Sequence, residues 1–287
     1  MAYLGIPKNT IEVLQKYNFN FQKRFGQNFL IDTHVLEKII REAHITKDDV
    51  VLEIGPGIGT MTQYLCESAS KVFAVEIDNT LIPILNDTLS EYDNVTIINE
   101  DILKVNINKL VEEECGNRPI KVVANLPYYI TTPIIMSLFE NDVNIDNITV
   151  MIQKEVAERI VSKPGTKDYG ALTLAVNFYS TPEIVANVPP NCFMPRPNVS
   201  SAVIRMTKDV EPKVKVADKE LLFKLIKASF LQRRKTLVNG IGNFKELNIT
   251  KDRVAEALKE MGLDENIRGE RLSLSEFGEL SDLLSEK

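Results

Sequence analysis

The chain has 287 residues, of which 44% are hydrophobic and 26% are charged, and its formal net charge is −6. Such a chain can bury one sizeable α/β core and a smaller second domain. No run approaches the roughly 20 apolar residues of a membrane span, and the polar N-terminus lacks a signal peptide. We therefore expect a cytoplasmic protein that binds no membrane. The 3 cysteines are dispersed and the 2 histidines have no nearby ligand partners, which excludes a disulfide framework and a metal site.

The first motif joins a strand-like run to a glycine-rich turn. Residues 50–54 (VVLEI) precede Gly55, Gly57 and Gly59, and residues 60–65 have the pattern of a helix start. Glycines at these positions let the backbone turn sharply and approach a ligand closely, as in the loops that bind nucleotides between a strand and a helix. The pattern therefore predicts a nucleotide-like ligand at Gly55 and Gly57.

An acidic residue follows the next strand-like run. Residues 71–75 (KVFAV) precede Glu76, whose carboxylate can accept hydrogen bonds from both hydroxyls of a ribose. The glycine spacing is G-x-G-x-G, and Pro56 removes a backbone N–H that would help to bind a pyrophosphate. Both features argue against a dinucleotide and favour S-adenosylmethionine, which carries an adenosine but no phosphate.

A third strand-like run, residues 95–99 (VTIIN), is followed by Glu100 and Asp101. If these runs are parallel strands of one sheet, Gly55, Glu76 and Asp101 project from the edge at which open α/β sheets bind ligands. Asp101 would then accept a hydrogen bond from the adenine amine of the cofactor. Each acidic residue alone is more often a helix cap or a solvated turn. Their succession after separate apolar runs favours a binding site.

The fourth run, residues 120–124 (IKVVA), is followed by Asn125, Leu126, Pro127 and Tyr128. The Asn125 amide oxygen and the Leu126 carbonyl can accept hydrogen bonds from the two N–H groups of an adenine amine, and Tyr128 can stack on the ring. Pro127 fixes the turn between Leu126 and Tyr128. An Asn-X-Pro stretch is more often only a turn. After the cofactor motif, however, it predicts a pocket in which adenine is modified at its amine.

Basic residues are concentrated in part of this acidic chain. Residues 221–240 contain no acid, and their basic residues are Lys224, Lys227, Arg233, Arg234 and Lys235. With Lys8, Lys16, Lys23 and Arg24 near the N-terminus, they predict a surface that contacts the phosphates of a nucleic acid. A solvated helix face is the alternative interpretation of each charge, and the apolar residues between them indicate that the segment also packs on a core.

Six motifs carry a resemblance over nearly the whole chain: residues 23–30 (KRFGQNFL), 52–59 (LEIGPGIG), 75–78 (VEID), 125–130 (NLPYYI), 153–157 (QKEVA) and 193–201 (FMPRPNVSS). Together they resemble the small-subunit ribosomal RNA adenine dimethyltransferases, relatives of the erythromycin-resistance rRNA methylases. The resemblance implies that Asn28 and Leu30 close over the methionine part of S-adenosylmethionine. It also implies that the cofactor is held by Gly55, Glu76 and Asp101, and that Asn125 touches both cofactor and target base.

The order of elements predicts an α/β fold: a helical N-terminal segment, alternating strands and helices to about residue 180, a strand at residues 201–206, and helices thereafter. The resemblance implies a Rossmann-like sheet of seven strands whose last strand is antiparallel. Residues 208–215, polar and interrupted by Pro212, have the composition of a linker. We therefore expect a methyltransferase domain at residues 1–207 and a small helical RNA-substrate domain at residues 208–287.

The resemblance implies transfer of methyl groups from S-adenosylmethionine to the N6 amines of adjacent adenosines in small-subunit ribosomal RNA, during ribosome biogenesis. The target base must be unpaired or flipped to enter a pocket. There Phe193 is expected either to stack on its second face or to belong to the core. The resemblance implies an immature 30S particle as partner, and we expect a monomer.

Two other classes stay open. A non-catalytic RNA-binding assembly factor that kept the fold is disfavoured by the intact cofactor and amine-binding motifs. A small-molecule methyltransferase is disfavoured by the basic residues in the C-terminal part of the chain.

Overall fold

The expected α/β sheet is present in the computed structural model, which describes residues 2–22, 25–116 and 118–285. The strands are β1 (Phe29–Leu30), β2 (Val50–Ile54), β3 (Lys71–Glu76), β4 (Val95–Asn99), β5 (Ile120–Asn125), β6 (Ile145–Gln153), β7 (Ser180–Val188), β8 (Phe193–Met194) and β9 (Ser201–Lys208). Within these residues a seven-stranded sheet has the order β4-β3-β2-β5-β6-β9-β7, and β1 pairs with β8.

The strand directions follow the expected pattern. β2 is parallel to β3 and β5, β3 is parallel to β4, and β5 is parallel to β6. β9 is antiparallel to β6. Because β9 comes last in the chain, the expected seven-stranded sheet with an antiparallel last strand is confirmed. β2, β3 and β5 are buried along nearly their whole length, as central parallel strands covered on both faces should be.

Helices connect and follow these strands. They are α1 (Pro7–Lys16), α2 (Thr33–Glu42), α3 (Thr60–Ser68), α4 (Ile82–Thr88), α5 (Ile107–Cys115), α6 (Thr131–Glu140), α7 (Lys154–Ile160), α8 (Ala171–Tyr179), α9 (Lys219–Leu231), α10 (Leu237–Gly242), α11 (Lys251–Glu260) and α12 (Leu274–Ser285). The expected N-terminal helix, the alternation and the C-terminal helices are all present. In the described part of the chain, no helix combines the length and apolar character needed to span a membrane.

Strand β7 lies beyond the alternation that the residues predict. Its first half contains Pro182 and Glu183, which do not have the pattern of a strand. The structure places β7 at the edge of the sheet, beside β9. Proline has no N–H to donate to a neighbouring strand. An edge strand tolerates it, because one side of an edge strand has no hydrogen-bonded neighbour. The edge position therefore explains why residues 180–188 form a strand despite this sequence.

The chain divides into two compact units, and each has its own hydrophobic core. The first unit comprises residues 1–157 and 183–208, and the second comprises residues 158–182 and 209–287, counting the residues that the structure describes. The expected boundary at residue 207 differs from this division because residues 158–182 group with the C-terminal residues. Leu174 and Phe178 of α8 lie in the same buried cluster as Leu222 of α9 and Phe277 of α12.

Candidate active site

A cavity opens in the first unit at the carboxyl ends of the parallel strands. It is lined by the segments that follow β2, β3, β4 and β5, and by residues 25–30. The predicted site residues on its wall are Asn28, Leu30, Gly55, Gly57, Glu76, Asp101, Asn125, Leu126, Pro127 and Tyr128. Neighbouring parallel strands end at the same edge of a sheet, so the sheet itself brings together residues that are distant in sequence.

The backbone at Gly57 forms a narrow cradle in the wall of this cavity. Its φ is +63°, a value that residues with a Cβ rarely adopt. A Cβ at Gly57 would also lie only 2.8 Å from Cε1 of Phe29. The glycine turn after β2 is therefore packed directly against the segment that contains β1. Glycine is required at this position by its positive φ and by the packing of Phe29, and the close approach of this backbone to a ligand stays a prediction.

Glu76 ends β3 with both carboxyl oxygens held by backbone groups. Oε2 accepts a hydrogen bond from the Gly57 N–H at 3.1 Å, and Oε1 accepts one from the Asp78 N–H at 2.8 Å. The residue is 5% exposed. This burial raises the pKa of the Glu76 carboxyl to about 7, although the two N–H groups act in the opposite direction. Each carboxylate oxygen can accept a further bond, so Glu76 can bind a pair of ligand hydroxyls.

Glu53 is a site residue that the sequence reasoning missed. It lines the cavity and is 0% exposed, and among the described residues neither of its carboxyl oxygens has a hydrogen-bond partner. Burial raises the pKa of the Glu53 carboxyl to about 8; the Thr62 side chain acts in the opposite direction, and the charge of Glu76 adds to the rise. A buried acid without a partner is costly, and a cationic ligand in the cavity would remove that cost. The available signal was a glutamate inside the otherwise apolar run of residues 50–54.

The other predicted cofactor residues, Asp101, Asn28 and Leu30, also line the cavity. Asp101 follows β4, and its Oδ1 accepts a hydrogen bond from the Leu103 N–H at 3.1 Å. Asp101 therefore both stabilises a turn and lines the cavity. Asn28 donates a hydrogen bond from Nδ2 to the Gly26 carbonyl at 2.9 Å, and Leu30 is buried in β1.

The side chain of Asn125 is held in a defined orientation at the end of β5. Its Nδ2 donates a hydrogen bond to the backbone carbonyl of Asn28 at 2.8 Å. With the amide nitrogen fixed there, the amide oxygen Oδ1 is left as the group that can accept hydrogen bonds from a ligand. The following turn is fixed as well, because Thr131 Oγ1 donates to the Pro127 carbonyl at 3.1 Å. Asn125 can therefore act as a positioned acceptor, as the sequence predicts.

The two aromatic residues of the predicted base pocket have different surroundings. Tyr128 lines the cavity, is half-buried, and its hydroxyl lies 2.8 Å from Ser201 Oγ. Phe193 is 4% exposed, pairs with Leu30 between β8 and β1, and belongs to the buried core cluster of the first unit. It is not among the residues that line the cavity. The structure therefore gives Phe193 a packing role, and its stacking on a base stays a prediction.

Some residues of the predicted basic surface form ion pairs and others do not. Lys224 pairs with Glu220, Lys227 pairs with Glu246, and Arg233 pairs with Glu270. Arg234 and Lys235 are exposed in the loop between α9 and α10, without an ion pair in the described part of the chain. Near the N-terminus, Lys8 pairs with Glu12 and Lys16 with Asp87, while Lys23 and Arg24 lie outside the described residues.

Two arginines missed by the sequence reasoning lie beside the α9–α10 loop. Arg268 and Arg271 are exposed and flank Gly269. A Cβ at Gly269 would lie 2.7 Å from Cβ of Ser229, and the Leu237 N–H donates to the Ile267 carbonyl at 2.9 Å. The segment 267–271 is thereby packed against both ends of the loop that carries Arg234 and Lys235. Four exposed basic side chains consequently share one region of the second unit.

Comparisons with known proteins identify a family and several relatives. The family model described as ribosomal RNA adenine dimethylase matches residues 18–285. A protein of Lachnoclostridium phytofermentans named ribosomal RNA small subunit methyltransferase A is 70% identical over 100% of this chain and 99% of its own length. A protein of the same name from Clostridioides difficile is 52% identical over 100% and 99% of the two chains.

Two solved structures resemble the chain over most of its length. A dimethyladenosine transferase from Plasmodium falciparum matches with a TM-score of 0.73 and 26% identity, covering 88% of this chain and 95% of the other. The 23S rRNA methyltransferase ErmE matches with a TM-score of 0.67 and 27% identity, covering 90% of this chain and 100% of the other.

Proposed function

The chain belongs to the ribosomal RNA adenine dimethylase family, and we propose that it transfers methyl groups from S-adenosylmethionine to the N6 amines of adjacent adenosines in small-subunit ribosomal RNA. One observation supports this assignment most directly. The Asn125 side chain has its nitrogen bonded to the Asn28 carbonyl and its oxygen available, on the wall of a cavity that also contains the adenosine-binding features. That arrangement fits an acceptor for the amine of adenine.

The residues of the cavity fit S-adenosylmethionine. Glu53, whose buried carboxyl has no hydrogen-bond partner among the described residues, would bind the ammonium group of the methionine part, and the backbone at Gly55 and Gly57 would lie against the cofactor. Glu76 would accept bonds from the ribose hydroxyls and Asp101 from the adenine amine, while Asn28 and Leu30 would close over the methionine part. The bound cofactor supplies the methyl group, as an electrophile attached to a sulfonium centre.

We expect Glu76→Ala to bind S-adenosylmethionine about 5- to 150-fold more weakly, because ribose hydroxyls left without partners in a buried site cost roughly 1 to 3 kcal/mol. Isothermal titration calorimetry measures the change. Glu67→Ala is the matched control, since Glu67 accepts hydrogen bonds from Tyr3 and Tyr92 but does not line the cavity. Wild-type affinity in the Glu76 variant would remove Glu76 from the cofactor site.

The target amine is a weak nucleophile, because its lone pair is delocalised into the adenine ring. It must therefore be oriented along the methyl–sulfur axis and not merely brought near. Asn125 Oδ1 and the Leu126 carbonyl would accept its two N–H groups, and Tyr128 would stack on the ring. Orientation of this kind contributes up to roughly 7 to 11 kcal/mol in well-aligned reactions. No strong general base is needed, since the amine becomes acidic on methylation and then loses its proton to water or a carbonyl.

Tyr128→Ala should retain cofactor binding but methylate RNA about 5- to 150-fold more slowly, since stacking of a base on an aromatic ring contributes roughly 1 to 3 kcal/mol. At the second transfer the amine has only one N–H left, so stacking matters more and monomethyladenosine should accumulate. Mass spectrometry of digested RNA gives both quantities. A variant with the wild-type rate and product ratio would show that Tyr128 takes no part in the reaction.

The second unit is proposed as the domain that binds the RNA substrate, with the first unit as the methyltransferase domain. Arg234, Lys235, Arg268 and Arg271 support this role, because they are exposed basic residues in one region. Lys224, Lys227 and Arg233 are engaged in ion pairs and would contribute less. An attraction for phosphates concentrated in one unit is compatible with a chain whose overall charge is negative.

Neutralising Arg234 and Lys235 together as glutamines should weaken RNA binding. The slope of log affinity against log salt should become shallower by about 1 to 2, because each lost phosphate contact removes roughly 0.7 to 0.9 from it. Filter binding at several salt concentrations measures this slope. Replacing Lys47 and Lys109, which are exposed in the first unit, removes the same charge and should leave the slope unchanged. Equal slopes in both double variants would show that Arg234 and Lys235 are only a solvated surface.

The proposed substrate is an immature 30S particle in the cytoplasm, bound by one copy of the chain. Transfer of labelled methyl groups to unmethylated small subunits, compared with naked ribosomal RNA and with small amines, tests this choice. The particle should be methylated fastest and small amines should not be methylated. Equal rates with naked RNA would exclude the particle as the preferred substrate, and turnover of small amines alone would exclude RNA.

A further inference from the structure

One contact in the cavity has no role in the reaction described so far. The hydroxyl of Tyr128 lies 2.8 Å from Oγ of Ser201, within hydrogen-bond distance. Ser201 is 0% exposed, so its hydroxyl has no access to water. The two residues are 73 positions apart in sequence. A buried hydroxyl bonded to the residue that would stack on the target base deserves a functional explanation, because that bond restricts where the ring can go.

The direction of β9 explains why Ser201 is available at this place. β9 is antiparallel to β6, and Ser201, its first residue, lies opposite Gln153, the last residue of β6. The amino end of β9 therefore lies at the same edge of the sheet as the carboxyl ends of β5 and β6. A parallel last strand would instead have its carboxyl end at this edge. The antiparallel strand thus places the Ser201 hydroxyl beside the turn that follows Asn125.

We propose that Ser201 is a positioning residue for methyl transfer, which acts by fixing the ring of Tyr128 through the bond between their hydroxyls. This inference rests on the proposed function, in which Tyr128 stacks on the target adenine. A tyrosine side chain has two torsions. The hydroxyl lies on the axis of the second, so a bond at the hydroxyl restrains mainly the first, which sets where the ring lies in the cavity. If the ring swung away, the buried Ser201 hydroxyl would lose its partner, which is unfavourable. The ring is therefore held at one place on the wall of the cavity before the base enters.

The restraint has its largest effect at the second methyl transfer. The monomethylated amine has a single N–H, so Asn125 and the Leu126 carbonyl cannot both accept a hydrogen bond from it. Stacking on Tyr128 then provides a larger share of the orientation. Loss of the Ser201 bond should consequently slow the second transfer more than the first and raise the ratio of monomethyl to dimethyl product. A residue that only packed in the core would not change this ratio.

A double-mutant cycle tests the inference, because Ser201→Ala and Tyr128→Phe remove the same bond from opposite sides. Each single variant should lower kcat of the second transfer by about 2- to 12-fold, the range that corresponds to one hydrogen bond. The double variant should be no slower than the slower single variant. Affinity for S-adenosylmethionine should be unchanged in all three. If the two effects multiply, or if both single variants have wild-type kcat, the inference is overturned.

A second readout reports the position of the base without any chemistry. RNA with 2-aminopurine at the target adenosine lacks the N6 amine, and its fluorescence is quenched by stacking. The chain contains no tryptophan that would interfere. Quenching should be equally reduced in Ser201→Ala, in Tyr128→Phe and in the double variant. Wild-type quenching in all of them would contradict the proposed restraint. If Ser201→Ala does not fold, Tyr128→Phe still tests the same bond.

Two controls separate this inference from the function on which it rests. Ser180→Ala removes a hydroxyl that is equally buried and donates to the Val176 carbonyl in the second unit. It should leave kcat and the product ratio unchanged. If Tyr128→Ala is slow while Ser201→Ala and Tyr128→Phe match the wild type, only the role of Ser201 fails. If Tyr128→Ala also matches the wild type, the stacking role of Tyr128 fails with it.

Discussion

Asn125→Ala is expected to lower kcat for RNA methylation by about 100-fold or more, since misplacing a reacting group by about 1 Å can cost a factor of that size. The substitution removes the only side-chain acceptor that the reaction scheme assigns to the target amine. Affinity for S-adenosylmethionine should fall much less, because Glu53, Gly57 and Glu76, which are proposed to hold the cofactor, still line the cavity. Single-turnover kinetics with saturating cofactor separates the two effects.

The matched control for this variant is Asn94→Ala. Asn94 Nδ2 donates to the carbonyls of Cys66 and Ala69 at 2.9 and 3.2 Å, so its replacement also removes partly buried amide bonds, but it does not line the cavity. The control should retain wild-type kcat. A folded Asn125→Ala protein with kcat within threefold of the wild type would show that the Asn125 amide does not orient the nucleophile.

Glu53→Gln is expected to change how the stability of the cofactor-free protein depends on pH. Burial raises the pKa of the Glu53 carboxyl from 4.5 to about 8. The folded protein therefore holds a proton that the unfolded chain has released. The stability that this protonated group contributes is fully present below pH 4.5 and is lost as pH rises to about 8. Glutamine does not titrate, so the variant escapes this loss.

As pH rises, the wild-type protein should therefore lose stability that the variant keeps, so the unfolding free energy of the variant should increase relative to that of the wild type. At 1.36 kcal/mol per pKa unit, the change between pH 4.5 and pH 8 amounts to roughly 4 kcal/mol. Urea denaturation at pH 5, 6.5, 8 and 9 measures it, with a plateau expected above pH 8. A difference that stays constant over this range would mean that Glu53 ionises normally in the folded protein.

Much of the site could be predicted because the sheet is parallel. Each of β2, β3, β4 and β5 is a short apolar run that ends in a polar or glycine residue, and parallel neighbours must end at one edge. The positions of Gly55, Glu76, Asp101 and Asn125 around one cavity follow from that rule without knowledge of any loop. The antiparallel last strand came from family resemblance, since nothing in residues 201–206 specifies direction.

The features that escaped prediction depend on contacts between distant segments. Glu53 is unusual in sequence only as a glutamate inside an apolar run, and the folded structure is needed to show that its carboxyl has no hydrogen-bond partner among the described residues. The bond between Tyr128 and Ser201 depends on the register of β9 against β6. In the same way, Arg233 is basic in sequence, yet in the structure its charge is engaged by Glu270. Pairing of this kind is decided by tertiary structure, and local composition does not reveal it.

Nucleoside mass spectrometry of small-subunit RNA tests the central claim most directly. Unmethylated particles would be incubated with the purified protein and S-adenosylmethionine, and their RNA digested and analysed. The wild-type protein should produce N6,N6-dimethyladenosine at two adjacent adenosines, and the Asn125→Ala variant should produce almost none. Methyl groups on ribose, on ring nitrogens or on other bases would contradict it, as would a folded protein that binds the cofactor and leaves the RNA unmodified.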